Sequence, residues 1–129
     1  MTSPHKGETR TARCHCGAVV IEAFLPNGLR DAARCNCSFC RRRGAAAVTT
    51  LTSKLKILQG QDSLSLYTWG TGTAKHHFCK VCGIYTHHQR RSDPSETGVN
   101  PGCFDDVLPQ EYEPIRTTDG INYSSDQTS

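Results

Sequence analysis

Cysteine is the residue type that most clearly gives this sequence a chemistry. The chain of 129 residues contains eight cysteines. Seven of them fall into three local groups: Cys14-His-Cys16, Cys35-Asn-Cys37-Ser-Phe-Cys40 and Cys79-Lys-Val-Cys82. Closely spaced thiols serve as disulfide partners, as redox groups or as ligands of a soft metal ion such as zinc. The compartment of the protein and the spacing of the thiols decide among these roles.

The N-terminal segment bears on the redox state of these thiols. Its first ten residues, MTSPHKGETR, lack the apolar stretch of a secretory signal peptide, and no run in the sequence has the length of a transmembrane helix. We therefore expect a cytoplasmic protein with no membrane partner. In a reducing compartment, clustered cysteines are typical of metal sites or redox groups rather than of disulfides.

The last cysteine group has the spacing of a zinc knuckle. Cys79 and Cys82 are followed by Gly83, so that two thiolates can converge on one ion while the chain turns. Zinc takes four ligands, and Cys14 and Cys16, also followed by a glycine, supply the missing pair. A site of four thiolates has no vacant position, so we predict a structural zinc that contributes to folding.

The middle group, Cys35, Cys37 and Cys40, offers three thiolates within six residues. Three protein ligands with a fourth, exchangeable position are the usual arrangement of a catalytic zinc. The spacing therefore predicts a second zinc, and it makes these three cysteines the candidate catalytic residues.

Three alternatives stay open, because spacing does not fix metal connectivity. Cys103 could complete a second closed site of four thiolates. The middle group could be a redox trio without a metal. Cys79 and Cys82 could join the middle group and leave Cys14 and Cys16 spare. Five of the six histidines lie near the cysteine motifs, but we do not expect them to be ligands, since a histidine beside a knuckle is more often exposed.

Charge and hydropathy limit the partners of the chain. The net charge is +3, which is too small to predict a nucleic-acid partner. Arg41, Arg42 and Arg43 directly follow the middle cysteine group, so this run is either a solvated face or an anion-binding element. The hydrophobic content of 36% and the mean hydropathy of −0.52 predict a thin core that needs support from bound metal.

Short runs of β-forming residues predict a mostly β domain with little helix over residues 10–129, after a disordered arm of residues 1–9. Glycine and proline separate strands at 17–25, 32–35, 45–51, 55–58, 64–69 and 99–104, while 76–79 and 84–88 flank the knuckle as a hairpin. Ser38–Arg43 is expected to form one helical turn, and the tail beyond residue 104 is expected to be irregular. The aromatic side chains expected in the core are Phe39, Tyr67, Trp69 and Phe78.

Three motifs in this order resemble the glutathione-dependent formaldehyde-activating enzyme family, which also includes centromere protein V-like domains. The motifs are CHCGAV at 14–19, CNCSFCRR with the following GA at 35–45, and HFCKVCG at 77–83. Looser similarity continues through GVNP at 98–101, FDD at 104–106 and DGIN at 119–122. The GVNP and DGIN segments look more like the centromere protein V-like branch.

The resemblance implies a β-tent fold of short antiparallel strands stapled by two zinc ions, Zn²⁺, per chain. The ligands that it implies are Cys14, Cys16, Cys79 and Cys82 for a structural zinc, and Cys35, Cys37 and Cys40 for a second zinc facing a glutathione-binding cleft. It also implies a carbon–sulfur lyase that interconverts S-(hydroxymethyl)glutathione with glutathione and formaldehyde. On this hypothesis Arg41, Arg42 and Arg43 bind the carboxylates of the substrate.

Two further classes of function are compatible with the sequence. A non-catalytic zinc module would bind glutathione or a macromolecular partner without turnover. The aromatic content of 7% offers little stacking surface for a single-stranded nucleic acid. A structural or metal-storage protein would have two closed sites, with Cys103 as the eighth ligand.

Overall fold

Residues 7–121 are described by the structure, a computed structural model, and they form ten short strands and one α-helix of six residues. The strands are β1 (Glu8–Arg13), β2 (Val20–Leu25), β3 (Ala33–Cys35), β4 (Val48–Leu51), β5 (Leu55–Gln59), β6 (Leu64–Tyr67), β7 (Lys75–Cys79), β8 (Tyr85–Gln89), β9 (Glu96–Val99) and β10 (Arg116–Thr118). The helix α1 covers Ser38–Arg43, and short 3-10 turns lie at Thr52–Lys54, Gln61–Ser63, Pro101–Cys103 and Pro109–Glu111. The prediction of a mostly β domain with little helix is confirmed. No helix within residues 7–121 is long and apolar enough to span a membrane.

The strands form three sheets. One is antiparallel with the order β1-β2-β5, and a second is antiparallel with the order β4-β9-β8-β7-β6. The third is a pair, β3 and β10, and it is parallel. The expectation of antiparallel strands therefore fails for this pair, because β10 comes from the far end of the chain and is not joined to β3 by a hairpin turn.

An aliphatic core lies between the sheets. Ile21, Ala23 and Leu25 on β2 are fully buried, with the alternation that a strand with one buried face requires. Val48 of β4 and Val99 of β9 are buried in the same cluster, which also includes three cysteines, Cys14, Cys79 and Cys103. Each large aliphatic side chain contributes about 1.5–3 kcal/mol on burial. The first and last cysteine pairs, through Cys14 and Cys79, are thus part of this core.

Several element boundaries differ from the sequence prediction. β1 begins at Glu8, two residues before the position where the sequence placed the start of the domain. Residues 1–6 of the predicted arm lie outside the described residues. The predicted strand at 99–104 is wrong, since Pro101 has no N–H to donate to a sheet and Asn100 Oδ1 accepts instead from the Gly102 N–H at 3.0 Å. The strand β10 lies in the tail that was expected to be irregular.

The four aromatic residues assigned to the core lie outside it. Phe39, Trp69 and Phe78 are half-buried, and Tyr67 is 46% exposed on β6. Phe39 and Tyr67 stack on each other with their ring centroids 5.2 Å apart. The interior holds aliphatic side chains and another aromatic ring, that of Phe104, which is 1% exposed.

Candidate metal centres and the adjoining cavity

Four cysteines from two distant parts of the chain meet at one point. Cys14 and Cys16 lie in the turn between β1 and β2, Cys79 ends β7, and Cys82 lies in the turn before β8. Their Sγ atoms all lie within 4.8 Å of one another, and the group could hold a metal ion. The structure therefore brings together the two pairs that the knuckle spacing suggested, and it does not join Cys79 and Cys82 to the middle group.

The local backbone shapes this four-cysteine group. The Val19 N–H donates to Cys14 Sγ at 3.3 Å, and the Val81 N–H donates to Cys79 Sγ at 3.3 Å. Gly83, with a φ of 79°, makes the turn that a side chain would strain. The Cys82 thiol has its pKa lowered to about 6, mainly by a hydrogen bond from the backbone of Cys16. Amide donors of this kind favour thiolates, which are the form that binds metal.

The middle cysteines form a second group. Cys35 ends β3, Cys37 precedes α1 as its N-cap, and Cys40 lies within α1. Their Sγ atoms also lie within 4.8 Å of one another, and Cys37 Sγ accepts from the Cys40 N–H at 3.3 Å. Hydrogen bonds from Cys37 and Cys40 lower the pKa of Cys35, while those with Cys35 and Cys37 raise the pKa of Cys40. The three sulfurs could hold a metal ion and leave a fourth position open.

The eighth cysteine belongs to neither group. Cys103 is 4% exposed, and its thiol donates to the Tyr85 carbonyl at 3.5 Å. Burial raises the pKa of this thiol to about 12, so the neutral form is favoured. The alternative in which Cys103 closes the middle site is therefore wrong in this structure.

The last of the described residues pack directly on the middle group. Asn36, between two of the cysteines, donates its N–H to the Thr118 carbonyl at 3.1 Å and accepts the Gly120 N–H at Oδ1 at 2.8 Å. A Cβ on Gly120 would lie 2.4 Å from Cys35 Sγ. Only glycine therefore allows β10 and the residues after it to approach the sulfurs this closely.

A cavity of about 320 Å³ opens beside the middle group, and all three cysteines line it. Five arginines also line it, namely Arg34, Arg43, Arg90, Arg91 and Arg116. Arg34 is paired with Glu113 at 2.8 Å, and Arg90 lies 3.8 Å from Glu96. The cavity therefore combines soft sulfur donors with an excess of positive charge.

The structure separates the three residues of the predicted substrate-binding run. Of its three residues only Arg43 lines the cavity, while Arg41 and Arg42 are exposed. Consecutive side chains on an α-helix point about 100° apart, so three in a row cannot face one site. Arg42 instead donates to the Ser38 carbonyl at 2.7 Å. Of the other arginines of the cavity, Arg34 and Arg116 are isolated in the sequence, and Arg90 and Arg91 form an adjacent pair after β8.

Buried N–H groups around the cavity lack partners among residues 7–121. They are Arg43 Nε, Arg90 Nε and Trp69 Nε1. A buried donor without a partner costs about 1–3 kcal/mol. These three donors around one cavity are therefore available to a polar ligand.

Two histidines of the cavity wall are held neutral. Burial and the charge of Arg43 lower the pKa of His76 to about 4. Burial, followed by the same charge, lowers the pKa of His88 well below its ordinary value. Tyr85 OH lies 2.6 Å from His88 Nδ1. The positive charge of the cavity thus comes from guanidinium groups and not from imidazolium.

Fold and site together define the class of protein: a small, mostly β domain with two cysteine groups able to hold metal ions, one of them facing a cationic cavity. The family model described as "Glutathione-dependent formaldehyde-activating enzyme" matches residues 9–119, and the chain belongs to that family. The crystal structure of a Rhodobacter sphaeroides protein is similar, with 55% sequence identity and a TM-score of 0.82. The match covers 84% of this chain and 99% of that chain.

Proposed function

We propose that the chain is a zinc-dependent carbon–sulfur lyase that acts on S-(hydroxymethyl)glutathione. The observation that carries this proposal is the convergence of Cys35, Cys37 and Cys40 on one wall of an arginine-lined cavity. The family's relation to glutathione-dependent formaldehyde activation supports the substrate class. The reaction belongs in the cytoplasm, where glutathione and reduced thiols coexist.

The donor sets of both cysteine groups suit zinc. Thiolates are soft ligands, and four of them complete a tetrahedral zinc site, whereas three leave one position for a small molecule. The four-cysteine group would hold a structural ion, and Cys35, Cys37 and Cys40 would hold the second. A zinc ion bound there would supply a Lewis acid and favour the thiolate form of a substrate thiol.

The cavity arginines would bind the charged ends of the substrate. Glutathione carries two carboxylates at neutral pH, and a guanidinium group binds a carboxylate with two parallel hydrogen bonds. Arg90 and Arg116 line the same cavity as the cysteines, and the buried N–H of Trp69 offers a further donor. These contacts would orient the substrate sulfur toward the cysteine wall.

The proposed reaction balances without an oxidant or a co-reactant. In S-(hydroxymethyl)glutathione the carbon–sulfur bond breaks, and its electron pair stays on sulfur. The hydroxyl group loses its proton and becomes the carbonyl of formaldehyde, and the sulfur takes up a proton to give glutathione. The positive wall of the cavity would stabilise the negative charge that develops on the leaving sulfur.

NMR exchange spectroscopy tests this proposal. Formaldehyde and glutathione are mixed with the zinc-loaded protein, and the rate of exchange between free and adduct glutathione is compared with the spontaneous rate. We expect acceleration by the wild type and by Arg41→Met, an exposed control, and no acceleration by Cys40→Ser. If the wild type binds glutathione but leaves the exchange rate unchanged, the lyase proposal fails and the alternative of a non-catalytic glutathione-binding module takes its place.

A further inference from the structure

Arg43 is held in a fixed position between two aromatic rings. Its guanidinium carbon lies 3.8 Å from the centroid of the Tyr85 ring and 5.0 Å from that of Phe39. Contacts of this kind attract a cation to the face of a ring. Tyr85 is buried, and its hydroxyl lies 2.6 Å from His88 Nδ1, so the ring itself has little freedom.

The two ends of this guanidinium group have different partners. Arg43 Nη2 donates to Cys40 Sγ at 3.6 Å. Arg43 Nη1 lies 3.1 Å from His76 Nδ1, which accepts because the imidazole is neutral. Cys40 and Arg43 are three residues apart on α1 and so share one face of the helix. The helix, the two rings and the histidine therefore aim one N–H of Arg43 at one sulfur of the middle group.

The other two sulfurs of the group have backbone donors instead. Cys37 Sγ accepts from the Cys40 N–H at 3.3 Å, and Cys35 Sγ accepts from the Cys37 N–H at 3.5 Å. These donors are neutral, whereas the donor to Cys40 carries a full positive charge. Hydrogen bonds from charged groups are roughly twice as strong as neutral ones, and hydrogen bonds to a ligand sulfur tune its bond to a metal.

We propose that Arg43 is a positioning residue that acts through Cys40, withdrawing charge from this sulfur so that it donates less to a bound metal ion than Cys35 or Cys37 does. This role differs from the binding of a substrate carboxylate that the arginine run suggested. The inference rests on the proposed second metal site. The hydrogen bond from Arg43 would make Cys40 the weakest of the three ligands. A metal ion bound there would then attract electrons more strongly from a molecule in its open position.

Cobalt(II) substitution tests the proposal without any measurement of activity. The protein is loaded with two equivalents of cobalt, and the sulfur-to-cobalt charge-transfer band is recorded together with the bound cobalt. In Arg43→Met, which keeps an unbranched side chain between the rings, the Cys40 sulfur gains electron density, so the band should shift to longer wavelength. Arg43→Lys, which keeps the charge and loses the planar fork, should shift it less. Arg41→Met is the matched control and should leave the band in place.

Each other outcome overturns the inference. An unshifted band in Arg43→Met with two bound cobalt ions shows that Arg43 does not act on the sulfur. A folded Arg43→Met protein that takes up one cobalt ion shows that Arg43 is needed for loading rather than for tuning. If Arg43→Met does not fold, an unshifted band in Arg43→Lys decides against the inference. A wild-type protein that binds one cobalt ion instead contradicts the proposed second site itself, and the two failures are thereby distinguished.

Discussion

The side-chain carbonyl of Asn36 accepts the backbone N–H of Gly120 at 2.8 Å, and this contact joins the middle cysteine group to the end of the described chain. The N–H of Ile121 donates to the same oxygen at 3.2 Å. Through β3 and β10, which run parallel, the segment covers Cys35. The integrity of the second cysteine group therefore depends on a segment 84 positions away in the sequence.

Gly120→Ala is predicted to weaken metal binding at the middle group. The added Cβ would lie 2.4 Å from Cys35 Sγ and 2.8 Å from Cys37 Cβ, so either the segment or the sulfur must move. We expect at least about a tenfold loss of zinc affinity at this site, since contacts around metal ligands typically contribute 10–100-fold. Competition with a chelator measures this loss. Binding at the four-cysteine group serves as the internal control, and equal losses at both sites would contradict the prediction.

The four-cysteine group is predicted to hold the fold together. Structural zinc sites contribute apparent binding free energies of about 10–16 kcal/mol, which is as large as the whole stability of a typical domain. We therefore expect Cys79→Ser, or removal of zinc by a strong chelator, to unfold the domain at room temperature. Circular dichroism detects this change.

Cys40→Ser is the matched control for that experiment, because it removes one thiol from the middle group and leaves the four-cysteine group intact. We expect it to remain folded. A Cys79→Ser protein as stable as Cys40→Ser would show that the four-cysteine group is not structural.

His87 is predicted to make the protein sensitive to acid. It is 5% exposed, and burial lowers its pKa from 6.5 to about 3. Between these two pKa values the unfolded chain binds a proton that the folded chain does not. The contribution of neutral His87 to the free energy of unfolding is therefore complete above pH 6.5 and falls as the pH is lowered. For His87 alone, the free energy of unfolding falls by about 1.4 kcal/mol between pH 8 and pH 5.5.

Urea unfolding of the wild type and of His87→Gln at these two pH values checks this prediction. The wild type should lose about 1.4 kcal/mol more than the variant over the interval. Release of metal at low pH affects both proteins alike, so the difference between them reports on His87. Equal losses in the two proteins would contradict the assignment.

Much of this architecture is predictable from local sequence. The knuckle spacing with Gly83 correctly suggested which two cysteine pairs come together, because ligand pairs and turns are local features. The helical turn at Ser38–Arg43 is likewise present, with Cys37 as its cap and no residue that would break it.

The composition of the cavity was not predictable in the same way. Arg34 on β3, Arg90 after β8 and Arg116 on β10 come from three parts of the chain that only the tertiary fold brings together. Within the run Arg41–Arg43, the helix turns consecutive residues away from one another, so Arg43 lines the cavity and Arg41 is exposed. The parallel pairing of β10 also depends on long-range contacts, which leave no periodic signal in a strand of three residues.

Trp69→Phe is predicted to weaken glutathione binding. The substitution keeps an aromatic ring in the cavity wall and removes the buried N–H that has no partner among residues 7–121. A hydrogen bond to a carboxylate contributes about 1.5 kcal/mol, so the dissociation constant should rise about tenfold. Isothermal titration calorimetry with glutathione measures the change, and Arg41→Met is the control. An unchanged dissociation constant would remove Trp69 from the binding site.

We propose that four cysteines form a closed metal site, that three form an open one and that Cys103 belongs to neither. The most direct test is the zinc content per chain of the wild type, Cys40→Ser and Cys103→Ser, each reconstituted with excess zinc and then desalted. We predict about two zinc ions in the wild type, about one in Cys40→Ser and about two in Cys103→Ser. Loss of an ion in Cys103→Ser, or retention of two ions in Cys40→Ser, would contradict the open site.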